Sequence, residues 1–131
     1  MNVNEIKEYL LDNVFSEIEE IDYEGNAAVL RAFYDFDEDE LKAARAYAND
    51  ESDFEEESQE WFNQFFLPYL NDVAIDNVGE VCEEAMENFG VKAQFISYEI
   101  DMNNHSYNEF IIAFSKEEDL DLDSILDEIG L

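Results

Sequence analysis

Residues 68–90 read PYLNDVAIDNVGEVCEEAMENFG. Their apolar positions are Leu70, Val73, Ala74, Val78, Val81, Cys82, Ala85, Met86 and Phe89. The spacing alternates threes and fours, the period of one buried helix face. Pro68 suits a first helical turn, where a missing N–H costs nothing. Gly90 suits the left-handed position just past a helix end. The opposite face carries Asp72, Asp76, Glu80, Glu83, Glu84 and Glu87, and the stretch contains no lysine or arginine. Four residues of helix rise about 6 Å, so these carboxylates form a stripe of one sign. Like charges at i,i+4 each cost roughly 0.2–0.5 kcal/mol. Selection for stability alone would intersperse lysines. Their absence is the clearest functional signal in the chain.

Upstream, Asn49–Glu60 is the most acidic run, NDESDFEEESQE, with Asp53, Glu55, Glu56, Glu57 and Glu60 at its centre. It leads into Trp61, Phe62, Phe65 and Phe66. With Phe54 and Ser58 these define a second helical stripe over 53–66, and the ring of Pro68 is expected to end or kink that helix near Leu67. The helical spacing of the four rings favours a core over an exposed anchor, with room for part of one ring to remain outside. Before this run, Asp37 and Glu40 have the spacing of a capping box. It opens a helix over 38–48 with Leu41, Ala44 and Tyr47 inward, and Lys42 and Arg45 are its basic residues.

Residues 4–21 read as one amphipathic helix capped by Asn4. Ile6, Leu10, Val14, Ile18 and Ile21 mark its buried face, and Glu5, Glu8, Asp12, Glu19 and Glu20 face water. A turn at 23–26 precedes 27–36, where Leu30, Ala32, Tyr34 and Phe36 alternate as on a strand while Val29, Phe33 and Phe36 also suit a helix; the strand is the favoured reading. Beyond Gly90 the period becomes two. Residues 92–101 and 106–115 read as a β-hairpin around Met102–His105. Ile96, Tyr98 and Ile100 are expected to share a face with Phe110, Ile112 and Phe114. Asp121 caps a last helix that buries Leu122, Ile125, Leu126 and Ile129 and stops at Gly130. The fold class is α+β: a single domain over 1–131, with helices packed on one face of a small antiparallel sheet that contains the C-terminal hairpin.

The 131 residues include 36 acidic and 6 basic side chains, a formal net charge of −30, yet aromatic content is 15%. Disordered acidic tails lack such aromatics, so the chain has the material for a core. Solubility alone needs a net charge of magnitude roughly 2–8 in a small domain. The excess here repels nucleic acid and anionic membranes and attracts basic surfaces. Salt-adapted proteins are acidic too, but salt adaptation does not by itself call for so many large rings. No apolar run approaches a bilayer span, and no signal sequence opens the chain. The single cysteine, Cys82, lies on an apolar helix face and reads as a small buried hydrophobe. A cytoplasmic setting is expected.

No metal, cofactor or catalytic constellation is selected. Asp35, Asp37 and Asp39 have the opening spacing of a calcium loop, but Glu40 and Ala46 stand where Gly and Glu are required. Asp119, Asp121 and Asp123 fail in the same way, with Ser124 and Gly130 at those positions. His105, the one histidine, reads as a solvated turn residue. No glycine-rich phosphate loop or nucleophile elbow occurs, and the chain reads as a non-enzyme.

Duplex DNA carries one charge per ~1.7 Å, so about thirty charges match roughly 50 Å of duplex. In size, charge and helical acidic stripes the chain resembles phage-encoded DNA mimics, the anti-restriction and anti-CRISPR inhibitors. That resemblance implies a protein that fills the positively charged nucleic-acid channel of a host defence nuclease inside the bacterial cell. It implies a basic nucleic-acid-binding protein as partner, with no direct binding to nucleic acid and none to membranes. The contact residues expected are Asp53, Glu55, Glu56, Glu57 and Glu60 with Asp72, Asp76, Glu80, Glu83, Glu84 and Glu87. Two alternatives share the charge: an immunity protein against a basic nuclease toxin, and an acidic chaperone of a basic protein.

Overall fold

A computed structural model describes residues 1–131. The elements are α1 (Val3–Asn13), β1 (Glu17–Ile21), β2 (Ala28–Asp35), α2 (Glu38–Glu51), α3 (Gln59–Trp61), a π-helical segment (Phe62–Phe66), α4 (Leu67–Phe89), β3 (Lys92–Ser97), β4 (Tyr107–Ser115) and α5 (Leu122–Ile129). The strands form one antiparallel sheet in the order β1-β2-β4-β3. This is the expected α+β domain with a hairpin near the C-terminus.

The sheet is apolar on both faces, and that decides the layering. Phe110 to Phe114 of β4 are all fully buried. Leu30, Ala32, Tyr34, Phe110, Ile112 and Phe114 meet α1, α2 and α4 in the larger core. Val29, Ile111 and Ala113 meet Leu122, Ile125 and Leu126 of α5 in a smaller one. The expectation that all helices lie on one face is therefore corrected: α5 covers the opposite face. The hairpin register is corrected as well. Ala93, Phe95 and Ser97 stand opposite Phe114, Ile112 and Phe110, whereas Ile96 stands opposite Ile111. Side chains alternate with period two, so this one-residue difference puts Ile96 on the α5 side.

Residues 4–21 are not one helix. Asn2, not Asn4, caps α1, its Oδ1 accepting the Glu5 N–H at 3.2 Å. The helix closes at Asn13, where the Val14 and Phe15 N–H groups both donate to the Leu10 carbonyl. Glu17–Ile21 then pairs along β2, with Ile18 opposite Ala32. Pairing with the sheet outweighs a local helical period that Val14, Ile18 and Ile21 also satisfy.

Local signals hold in α2. The Glu40 N–H donates to Asp37 Oδ1 (2.8 Å) and the Asp37 N–H to Glu40 Oε1 (3.0 Å), completing the capping box. The helix runs on to Glu51 and buries Ala44 and Ala48. Tyr47, expected inward, is 41% exposed.

The helix expected over 53–66 starts later. Ser58 caps it, its Oγ accepting the Trp61 N–H at 3.2 Å, and Asp53–Glu57 lie in the preceding loop. From Gln59 the chain stays helical through Phe89, so Pro68 does not end the helix. A proline there has no N–H for the carbonyl four residues back, and its ring crowds that carbonyl. The π segment meets this demand. The Leu67 N–H reaches back five residues to Phe62 O, which widens the turn just before the proline. The extra residue also lets Trp61, Phe62, Phe66 and Leu67 all point into the core.

α4 is the longest element, and Gly90 ends it at φ +63°, a conformation that glycine adopts without a Cβ penalty. A buried polar contact fixes its start over the hairpin. Asn108 Nδ2 donates to the Tyr98 and Glu109 carbonyls (3.2 Å each), and its Oδ1 accepts from Asn71 Nδ2 (2.9 Å). With this buried amide satisfied, little is lost by placing it in the core. No helix is long and apolar enough to cross a membrane.

Candidate functional site

Burial of Leu70, Ala74, Val78, Cys82 and Ala85 fixes the rotation of α4. It leaves Asp72, Asp76, Glu80, Glu83, Glu84 and Glu87 exposed. The fifteen residue steps from Asp72 to Glu87 rise about 22 Å along the helix. None of the six lies within 4 Å of a basic group: the ion pairs are Lys7–Glu20, Arg31–Glu19, Arg31–Glu109, Arg45–Glu56 and Arg45–Glu57. Glu84 is the one member with a fixed partner, accepting the Tyr9 hydroxyl proton at 2.7 Å.

The stripe divides into two surroundings. Glu80 and Glu84 line a hollow with Asp35, Asp37, Glu40 and Asn77. The first three of these come from the β2–α2 corner and were not assigned to the site from sequence; there Asp37 and Glu40 were read as the capping box of α2, and Asp35 only as part of a calcium-loop spacing that fails. In this hollow the Tyr34 hydroxyl donates to Glu40 Oε2 and accepts from Asn77 Nδ2 (2.8 Å). Burial and the Glu40 contact push its acidity constant up to about 12. Asp76 and Asp72, about one and two turns nearer the helix start than Glu80, border an aromatic hollow with Tyr47, Phe65, Tyr69 and Val73.

The loop acids are less uniform than their sequence run. Asp53, Glu55 and Glu60 are exposed and make no ion pair. Glu56 and Glu57 are held by Arg45, whose Nη1 lies 2.5 Å from Glu56 Oε1 and whose Nη2 lies 3.1 Å from Glu57 Oε1. The Arg45 hydrogen bond holds the Glu56 carboxyl below the usual carboxylate range. The guanidinium also lies over the Trp61 and Phe66 rings, 5.2 and 5.7 Å from their centroids. Glu57 takes a left-handed backbone at φ +66°, an unfavourable conformation for a residue with a Cβ. These two carboxylates therefore enclose Arg45 as well as facing solvent.

Of the four rings that follow, Trp61, Phe62 and Phe66 are buried. Trp61 Nε1 donates to Asn49 Oδ1 at 3.0 Å. Phe65 is the ring left partly outside, against Tyr47 and Phe54. His105 is not a solvated turn residue. It is half-buried, with ring centroids 5.0 Å from Phe66 and 5.7 Å from Phe62, and its Nδ1 lies 3.2 Å from the Met102 carbonyl. Cys82 is buried, and desolvation pushes its thiol up to about 12.

Asp37 and Asp121, which the calcium-loop spacings include, serve as helix caps. No group of three His, Cys, Asp or Glu side chains is arranged to hold a metal ion. The surface therefore offers unpaired carboxylates on a rigid helix, an acidic loop and a cluster of exposed rings, an arrangement suited to attracting and seating a cationic surface. Comparison with known proteins finds no matching family model, no similar curated protein and no similar solved structure.

Proposed function

We propose that the chain is an acidic DNA mimic. It inhibits a nucleic-acid-binding defence nuclease, a CRISPR effector or a restriction enzyme, in the cytoplasm of a bacterial host by occupying its positively charged channel. The observation that carries this reading is the α4 stripe: six exposed carboxylates over about 22 Å of rigid helix, none paired with a base. Channel lysines and arginines then meet carboxylates where they would meet phosphates. Long-range attraction steers and speeds association, and desolvated pairs hold the complex.

The test is competition. Labelled duplex is bound to a candidate nuclease and displaced by increasing amounts of this protein. Neutralising Asp72, Asp76, Glu80, Glu83 and Glu87 is expected to slow association and relieve inhibition in a graded way, because a distributed field has no single decisive residue. A nuclease that holds its DNA and this protein together, and is still inhibited, would rule out channel filling.

The exposed rings beside the acids favour a second reading, an immunity protein that neutralises one basic nuclease toxin. Aromatic anchors seat in one partner's pockets and so narrow its range of targets. Inhibition of several unrelated nucleic-acid-binding enzymes supports mimicry; strict preference for one toxin supports immunity.

A further inference from the structure

The acidic stripe does not account for the rings beside it. Tyr47 of α2 and Tyr69 of α4 stack with centroids 5.0 Å apart and planes 30° from parallel. Phe65 lies 6.5 Å from Tyr47 and 6.4 Å from Phe54. Tyr47 is 41% exposed and Phe54 45%. Tyr47, Phe65 and Tyr69 line a shallow hollow of about 370 Å³ that also includes Asp72 and Asp76 and no lysine or arginine.

The face of an aromatic ring is negative and attracts a cation within about 6 Å. A carboxylate at the rim adds charge and hydrogen-bond acceptors. Guanidinium uses both features at once, because it is flat enough to stack and carries N–H groups along its edge. The chain already contains one such arrangement. Arg45, two residues before Tyr47 on the same helix, has its guanidinium over Trp61 and Phe66 and its N–H groups on Glu56 and Glu57. The hollow repeats those components, aromatic faces with two carboxylates, and holds no cation of its own.

We propose that this hollow receives an arginine side chain of the basic partner protein and so gives the distributed acidic surface a fixed register. The proposal rests on the reading that the partner is a basic protein. A second copy of this chain is the weaker occupant, because each copy carries a formal charge of −30.

The test titrates the whole protein with hexa-arginine and hexa-lysine peptides, following Tyr, Phe and backbone resonances by NMR. The peptides carry equal charge, so both feel the same field, and arginine has the geometry to stack flat and bond sideways. The hollow's resonances are expected to shift first with hexa-arginine. Tyr47→Leu and Tyr69→Leu keep apolar bulk and remove the ring faces. Each is expected to weaken hexa-arginine binding by about 2- to 5-fold and to leave hexa-lysine binding nearly unchanged. Asp72→Asn with Asp76→Asn should weaken both peptides.

Unchanged hexa-arginine affinity in the double leucine variant overturns the proposal, as do shifts confined to α5 or the sheet. Self-association in sedimentation runs that the leucine variants abolish assigns the hollow to a second copy and also overturns it. No nuclease enters this assay, so failure of DNA competition and failure of the arginine site are read separately.

Discussion

Arg45 ties the acidic loop to the aromatic core. Its guanidinium stands over Trp61 and Phe66 and bonds Glu56 and Glu57. Replacing it with Met keeps much of the apolar stem packing and removes the charge. The Glu56 carboxyl, held low by that bond, is then expected to titrate closer to its ordinary value, measured from its carboxyl carbon shift by NMR. A folded-state constant below the unfolded one stabilises the fold above the unfolded constant and loses that contribution as pH falls through the folded one. The acid limb of stability should therefore be steeper in the native chain than in Arg45→Met. At the alkaline end the sign reverses. Burial raises Cys82 from 9.0 to about 12; burial and then Glu40 raise Tyr34 from 10.0 to about 12. Both groups keep their protons longer when folded, so each contribution is complete below its unfolded constant and is lost as pH rises towards about 12. Thermal midpoints should begin to fall near pH 9, and in Cys82→Ala the fall should begin about one pH unit later. An equally early fall in that variant would show that the thiol is not the group titrating.

Within α4, core face and acidic face give opposite responses. Val78 is fully buried, whereas Val81 is half-buried. Val78→Asp leaves an unpaired charge in the core at a cost of about 3–5 kcal/mol, a large part of the roughly 5–15 kcal/mol that holds a domain. Circular dichroism should show it unfolded. Asp76→Asn, Glu80→Gln and Glu83→Gln together should leave the thermal midpoint unchanged or higher, since each relieved i,i+4 repulsion returns roughly 0.2–0.5 kcal/mol. Glu84 is spared because it bonds Tyr9; loss of folding in the triple variant would make the stripe structural. The rotation of α4 was legible because its apolar residues repeat at helical spacing, and its end at Gly90, the Asp37–Glu40 box and the Asp121 cap of α5 because each rests on contacts within a few residues. What was illegible depends on distant partners. Ile18 and Ile21 keep a helical period, yet β2 recruits them. Ile96 and Phe95 are both apolar because the sheet is covered on two sides, so alternation cannot say which faces α4. The acids at 72–87 could be placed on one face, but Tyr47 and Phe65 beside Asp72 could not, because a loop and a π turn set their positions.

At the scale of the whole molecule, charge sets two responses to salt with opposite signs. Only Glu19, Glu20, Glu56, Glu57 and Glu109, five of 36 acids, are paired with a base. A formal charge of −30 lies on 7751 Å² of accessible surface. Folding gathers these carboxylates from an expanded chain into a small volume, and their repulsion opposes it. Monovalent salt shortens the Debye length from about 30 Å at 0.01 M to about 8 Å at 0.15 M, so it weakens the repulsion between separate faces and stabilises the fold. The midpoint of thermal unfolding should rise between those concentrations by several degrees, on a scale of about 2–8 °C for each kcal/mol gained. Capture of the proposed basic partner would depend on attraction screened by the same ions, so its association rate should fall over the same range. Melting by calorimetry and association by stopped flow, in matched buffers, measure the two responses. If both rose with salt, the contact would be mainly apolar, through the rings around Phe65. A midpoint flat across the range would mean that the carboxylates do not act as one self-repelling field, and the stripe would lose its claim to stand in for phosphates.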